Sequence, residues 1–112
     1  MAIARVEEAT GAVDIASVGN VSCEFVLPRE SRRVEGSSFV LGSPPRGSLK
    51  ITRHQHTLRP GETLVVFTDG IISRAALGED LALLRQHPIV IAREVVERFG
   101  RDQDDALVLV LR

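Results

Sequence analysis

From Ala2 to Phe67, apolar residues recur at every second position in short runs broken by turn-forming residues, and helical periodicity appears only after Gly70. A period of two matches strands with one buried face, so the larger part of this chain is committed to sheet. The runs 2–7 and 12–18 flank "EATG", where Gly11 suits a turn position that needs positive φ, and this predicts a hairpin. Gly19-Asn20 is a second turn signal, ahead of a strand over 21–27. "PRESRR" (28–33) reads as a polar loop, and 32–41 as one or two short strands around Gly36. "GSPPRG" (42–47) is the clearest loop, with two prolines and two glycines. Residues 48–58 alternate again, with Leu49, Ile51, Arg53 and Gln55 on one face and Lys50, Thr52, His54 and His56 on the other. "RPGE" then turns into "LVVF" (64–67), whose unbroken apolar run predicts a strand buried on both faces.

Helix signals follow. Residues 71–76 and 79–86 suit short helical turns. Pro88–Phe99 is the best helix, with proline in its first turn, a stripe of Ile91, Ala92, Val95, Val96 and Phe99, and Gly100 as a stop. A polar loop, "GRDQDD", leads to a last apolar strand over 106–111. With 112 residues, 44% hydrophobic and 26% charged, the chain fits one globular domain, 1–112, with a modest core. The expected fold class is α+β, an antiparallel β-sandwich layered with helices.

Composition also excludes function classes. A net charge of −1, from 14 basic and 15 acidic residues, gives no electrostatic footprint for nucleic acid, and four Phe with no Tyr or Trp offer no base-stacking platform. No apolar run approaches the roughly 20 residues that span a bilayer. The N-terminus has no basic leader with a long apolar core, so the expected location is cytoplasmic. Cys23 is the single cysteine and reads as a small core residue on a strand.

Two carboxylate sites abut predicted buried strands: Asp69 at the exit of 64–67, and Asp104 with Asp105 at the entrance of 106–111. If those strands are antiparallel neighbours, exit and entrance fall at one end of the sheet and the acids converge. Converging carboxylates suit hard divalent cations such as Mg²⁺ or Mn²⁺, and Gly70 behind Asp69 permits a tight bend and a close approach. Spacing alone nevertheless favours ordinary turn chemistry at both places. His54 and His56 lie two apart on one face without an evident third ligand, and read as an exposed polar face. Arg29, Arg32 and Arg33 read as a solvated loop, with an acidic or phosphorylated partner as the alternative.

Taken in order, several motifs resemble the C-terminal part of the bacterial PP2C-like (PPM) serine/threonine phosphatases, in the SpoIIE/RsbX branch. "AIARVEEATGAVDIASVGN" is similar to the family hairpin that ends in Gly-His or Gly-Asn, here Gly19-Asn20. "VLGSPP" resembles the family's Leu-Gly before a loop, "LRPGETLVVFTDGI" its Asp-Gly strand, and "DDALVLVLR" its closing strand. The resemblance implies a two-sheet sandwich and a two-metal Mn²⁺ or Mg²⁺ site at one end. By motif, Asp69 and Asp104 would be metal ligands, Gly70 would shape the loop beneath the metals, and Asp105, Gly19 and Asn20 would support the site.

The implied reaction is metal-dependent hydrolysis of phosphoserine or phosphothreonine on regulators of sigma-factor or stress signalling, including STAS-domain proteins. Family members carry a further strand pair with another Asp-Gly and two central helices ahead of the region matched here, so the fold is expected to be incomplete at its N-terminus and the metal site half encoded. "ISRA" and Leu107 also depart from the family's usual Thr-Glu-Ala and Thr. The alternative is a non-catalytic binding module on a degenerate phosphatase fold. A homodimer is a further expectation, since an uncovered sheet face favours a partner.

Overall fold

The computed structural model describes residues 1–34, 36–37, 42, 51–72 and 76–112. Two antiparallel sheets and a helical layer stack on one another. The first sheet has three strands in the order β1-β2-β5, formed by β1 (Ala2–Glu7), β2 (Ala12–Ser17) and β5 (Arg53–Thr57). The second has four in the order β4-β3-β6-β7, formed by β3 (Ser22–Leu27), β4 (Glu30–Val34), β6 (Thr63–Phe67) and β7 (Val108–Leu111). A 3₁₀ turn (Leu77–Glu79), α1 (Leu81–Leu84) and α2 (Pro88–Phe99) make the third layer. The expected sandwich layered with helices is therefore the observed fold.

The alternation of β3 and β6 builds two cores from one sheet. Cys23, Phe25 and Leu64 point between the sheets, where they meet Val13 and Ile15 of β2 and Val34 of β4. Val26, Val65 and Phe67 point the other way, onto Ile91 and Val95 of α2 and onto Leu77, Leu83 and Leu84. This explains the unbroken apolar run of β6: like β3, it is covered on both sides. Burial pushes the Cys23 thiol up, which disfavours the thiolate and suits a core residue.

Turn chemistry places the strands. Gly11 adopts φ +71° after β1 and Gly19 φ +76° after β2, conformations that L side chains disfavour. α2 starts on the His87 ring, whose Nδ1 accepts from the Ile89 N–H at 3.3 Å, and has Pro88 in its first turn. It stops at Gly100 in an extended conformation.

Two expectations are corrected. "PRESRR" is not a loop: Leu27 pairs with Glu30 across a two-residue turn, and Glu30–Val34 is the edge strand β4. Arg29 supplies the positive φ, +63°, that such a turn needs, and an edge strand tolerates a polar run because its outer side faces water. His54 and His56 are not an exposed polar face either. They pair with Ile15 and Val13 on the inward side of β5, and the His56 ring centroid lies 4.2 Å from that of Phe25.

The proposed second helical turn is realised as the 3₁₀ turn and α1, in place of one continuous element over 79–86. The "GSPPRG" loop beyond Gly42, the alternation over 48–50, most of the strand reading around Gly36, and the core of the expected helical turn over 71–76 lie outside the described residues. No helix among the described residues is long and apolar enough to cross a membrane.

Candidate functional site

β6 and β7 are antiparallel neighbours, with Phe67 opposite Val108, so the exit of one and the entrance of the other share one end of the four-stranded sheet. Thr68 clasps that end from both directions. Its N–H donates to the Leu107 carbonyl at 3.1 Å, and its Oγ1 accepts from the Leu107 N–H at 3.1 Å. Asp69 follows at once and is exposed, and the buried Gly70 lies directly behind it. A Cβ built on Gly70 would sit 2.8 Å from the Asp105 carbonyl carbon and closer still to its oxygen. Glycine is required there because the backbone of the Asp-Gly turn rests on the backbone of the Asp104-Asp105 loop.

The other side of the turn is tied to α2. The Ile72 N–H donates to the Phe99 carbonyl at 2.8 Å, the Arg101 N–H donates to the Gly70 carbonyl at 2.8 Å, and Ile71 bridges Gly100. Asp69 thus stands on a turn held by β7 on one flank and by the end of α2 on the other. From the β2–β3 connection, Asn20 Nδ2 donates to Asp69 Oδ2 at 2.9 Å and fixes the carboxylate. Gly19, ahead of Asn20, donates its N–H to the Ser37 carbonyl at 3.1 Å.

A cavity of about 620 Å³ opens beside Asp69. Gly19, Asn20, Thr68 and Asp69 line it, with Phe67 and Ile71 as an apolar floor and Arg33 and Arg101 as its basic residues. Asp104 and Asp105 are exposed on the neighbouring loop and do not line it. The structure therefore gathers Asp69, Gly70, Gly19 and Asn20, brings the Asp105 backbone against Gly70, and leaves the Asp104 and Asp105 side chains facing solvent one loop away.

Carboxylate oxygens of this type suit hard divalent cations such as Mn²⁺ or Mg²⁺. Their number falls short: among the described residues, no three His, Cys, Asp or Glu side chains gather to hold a metal ion. Sequence reasoning missed Arg101 altogether. A single basic residue inside the acidic "GRDQDD" loop was its one local signal.

The whole chain, residues 1–112, matches the family model described as Stage II sporulation protein E (SpoIIE). The chain belongs to the SpoIIE family. Solved structures agree on the fold of this SpoIIE-family chain. It superposes with TM-score 0.79 and 26% identity on a chain from the bacterial stressosome, described as a modular system adapted to control secondary messenger signalling, covering 99% of this chain and 57% of that one. The SpoIIE phosphatase domain from Bacillus subtilis, presoaked with Mn, gives TM-score 0.65 at 19% identity, with 100% and 55% covered. RsbX in complex with magnesium gives 0.71 at 20%, with 97% and 52% covered. The SpoIIE-family chain thus spans a little over half the length of these neighbours. None of the curated proteins matches it.

Proposed function

We propose that this chain is the C-terminal portion of a metal-dependent protein serine/threonine phosphatase domain of the SpoIIE/RsbX type, acting in the cytoplasm on phosphorylated regulators of sigma-factor or stress signalling. One observation carries the reading: Asp69 stands at the sheet end on a turn wedged against the Asp104-Asp105 loop, with its carboxylate held by Asn20. Phosphatase neighbours solved with Mn and with magnesium support the same class of site. Asp69 and Asp104 would hold Mn²⁺ or Mg²⁺. Such an ion, when bound, supplies a Lewis acid and a water acidified for attack on phosphorus.

The chain's own residues then have separable tasks. Asn20 orients the Asp69 carboxylate, Gly70 permits the close approach of the two loops, and Gly19 and Asp105 shape their outer edges. The cavity beside Asp69 receives the phosphorylated side chain of a STAS-type regulator.

Two carboxylates hold a divalent cation weakly, so the chain by itself is expected to bind Mn²⁺ only at high concentration and to turn over little or no phosphoprotein. Mn²⁺ titration followed by electron paramagnetic resonance checks this. Asp69→Asn and Asp104→Asn are each expected to lose the bound fraction. A titration with no binding at all, unchanged by either variant, defeats the metal reading. The absence of a three-residue cluster among the described residues favours a second reading, a binding module that recognises the phosphoregulator without hydrolysing it. Mn²⁺-stimulated phosphate release that Asp69→Asn abolishes would end that alternative.

A further inference from the structure

Among the described residues, β1 and β5 are the edges of the first sheet, and β4 and β7 those of the second. Three of these edges carry fixed charge: Arg5 and Glu7 on β1, Arg53 on β5, and Glu30, Arg32 and Arg33 on β4. Charges of this kind guard an open ladder against pairing with another chain. β7 has none. It reads Val108-Leu109-Val110-Leu111, and Leu107 ahead of it completes the run "LVLVL". We propose that this chain forms a homodimer through β7, paired antiparallel with the same strand of a second copy across a two-fold axis at Leu109.

The backbone of this edge is open in the direction that pairing needs. Leu107 turns both its N–H and its carbonyl to Thr68, on the β6 side. Direction alternates along a strand, so Leu109 also bonds toward β6, and Val108 offers its N–H and carbonyl to the open side. The side chains are exposed where the second copy would lie. Leu107, Leu109 and Leu111 share one face, and Leu111 packs against the core between the sheets, yet Leu107 and Leu109 are 60% and 52% exposed. Large apolar residues clustered on one strand, unlike single scattered ones, mark a surface for association.

Two features select a second copy as the occupant. "LVLVL" reads the same in both directions. With Leu109 opposite its own counterpart, Val108 meets the second copy's Val110 and Leu107 meets its Leu111, which is the self-complementarity that a two-fold contact demands. Because Leu109 bonds toward β6, the central pair exchanges no backbone hydrogen bonds, and in such pairs the side chains approach most closely. The strand ends match as well. Asp104 and Asp105 precede the strand and Arg112 follows it. Among the described residues, the Arg112 guanidinium donates to neutral acceptors, Thr63 Oγ1 and the Leu84 and Gln86 carbonyls. Antiparallel pairing sets the arginine of one copy beside the acids of the other, whereas parallel pairing would set acid on acid. The two Asp69 turns then fall at opposite ends of one continuous sheet.

Sedimentation velocity of the full chain over a range of concentrations tests this. The parent is expected to pass from monomer to dimer as concentration rises, and its Val108 amide to exchange more slowly in the dimer. Leu109→Lys, at an exposed position and with circular dichroism as the check on folding, sets like charges opposite each other on the axis. It is expected to weaken the dimer by about tenfold or more, and Leu109→Glu to do the same. An equimolar mixture of the two variants is expected to recover the dimer, because pairing centred on residue 109 brings their opposite charges face to face. A parent that stays monomeric at every concentration overturns the second copy and leaves the edge to a strand of different sequence. A dimer indifferent to both variants, or a mixture that associates no better than either variant alone, overturns pairing through β7 in this register. Mn²⁺ titration of the same variants decides the metal reading of Asp69 and Asp104 separately.

Discussion

Gly70→Ala is expected to lower the stability of the chain by about 3 kcal/mol, read as a lower urea midpoint with an unchanged slope. The added methyl meets the Asp105 carbonyl group and the Ala106 Cα, all of them backbone, so no flexible side chain can swing aside. Relief requires the Asp-Gly turn to lift away from the loop that leads into β7. The same variant is expected to weaken Mn²⁺ binding even though it removes no donor atom, because it separates Asp69 from Asp104. A variant as stable as the parent would mean that the two loops do not bear on each other.

Removing Glu62 is expected to cost still more, about 3–5 kcal/mol for Glu62→Ala. Glu62 is 2% exposed and stands at the start of β6, where it joins both sheets. His56 of β5 meets its Oε2 at 2.8 Å, the Arg59 N–H donates to the same oxygen at 2.8 Å, and the Arg59 guanidinium bridges its Oε1 to Glu30 of β4. Alanine leaves the His56 ring and the Arg59 amide without their acceptor inside the protein.

The pH dependence follows from the same network. Burial alone pushes the Glu62 carboxyl up, but hydrogen bonds from the Arg59 N–H, from His56 and from the Arg59 guanidinium outweigh it, and the group ends below the ordinary 4.5. A carboxyl depressed by folding stabilises fully above its unfolded value and loses that contribution as pH falls through its folded one. Acid unfolding of the parent chain is therefore expected to steepen below about pH 4.5, and Glu62→Gln is expected to flatten that segment of the curve.

Period-two alternation makes β1, β2 and β3 legible, the unbroken apolar run makes β6 so, and Gly11 and the Pro88–Phe99 stripe fall where the sequence puts them, because each depends on neighbours close in sequence. β4 was misread because its hairpin turn is made by Arg29 at φ +63°, a residue type that gives no turn signal, and because an edge strand can afford a polar run. The inward turn of His56 was hidden for a different reason. Its polar partner, Glu62, stands just ahead of β6, and the Phe25 ring it meets at a tilt belongs to β3, so from the sequence a polar residue on the buried face looks like one on the wet face. At the site, Asp69 and Gly70 were readable from strand-end chemistry. Arg101 was not, since its place depends on Gly100 bridging Ile71, a contact between segments about thirty positions apart.

The pair of hydrogen bonds between Thr68 and Leu107 bears on the dynamics of the site as well as on its shape. With β7 holding one side of the Asp69 turn and the end of α2 the other, the turn has no free flank on which to open by itself. Its amides belong to the same cooperative unit as the β6–β7 ladder, so the Leu107, Ile72 and Arg101 N–H groups are expected to exchange with solvent as slowly as Val66 and Val110. Thr68→Val keeps the shape of the side chain and removes the oxygen, and is expected to release Leu107 alone into faster exchange. The opposite wall meets the aspartate differently: Asn20 reaches Asp69 through a side-chain hydrogen bond, from a β2–β3 connection that is itself tied down where the Gly19 N–H donates to the Ser37 carbonyl. The carboxylate is thus the point where three separately anchored segments of the chain come together.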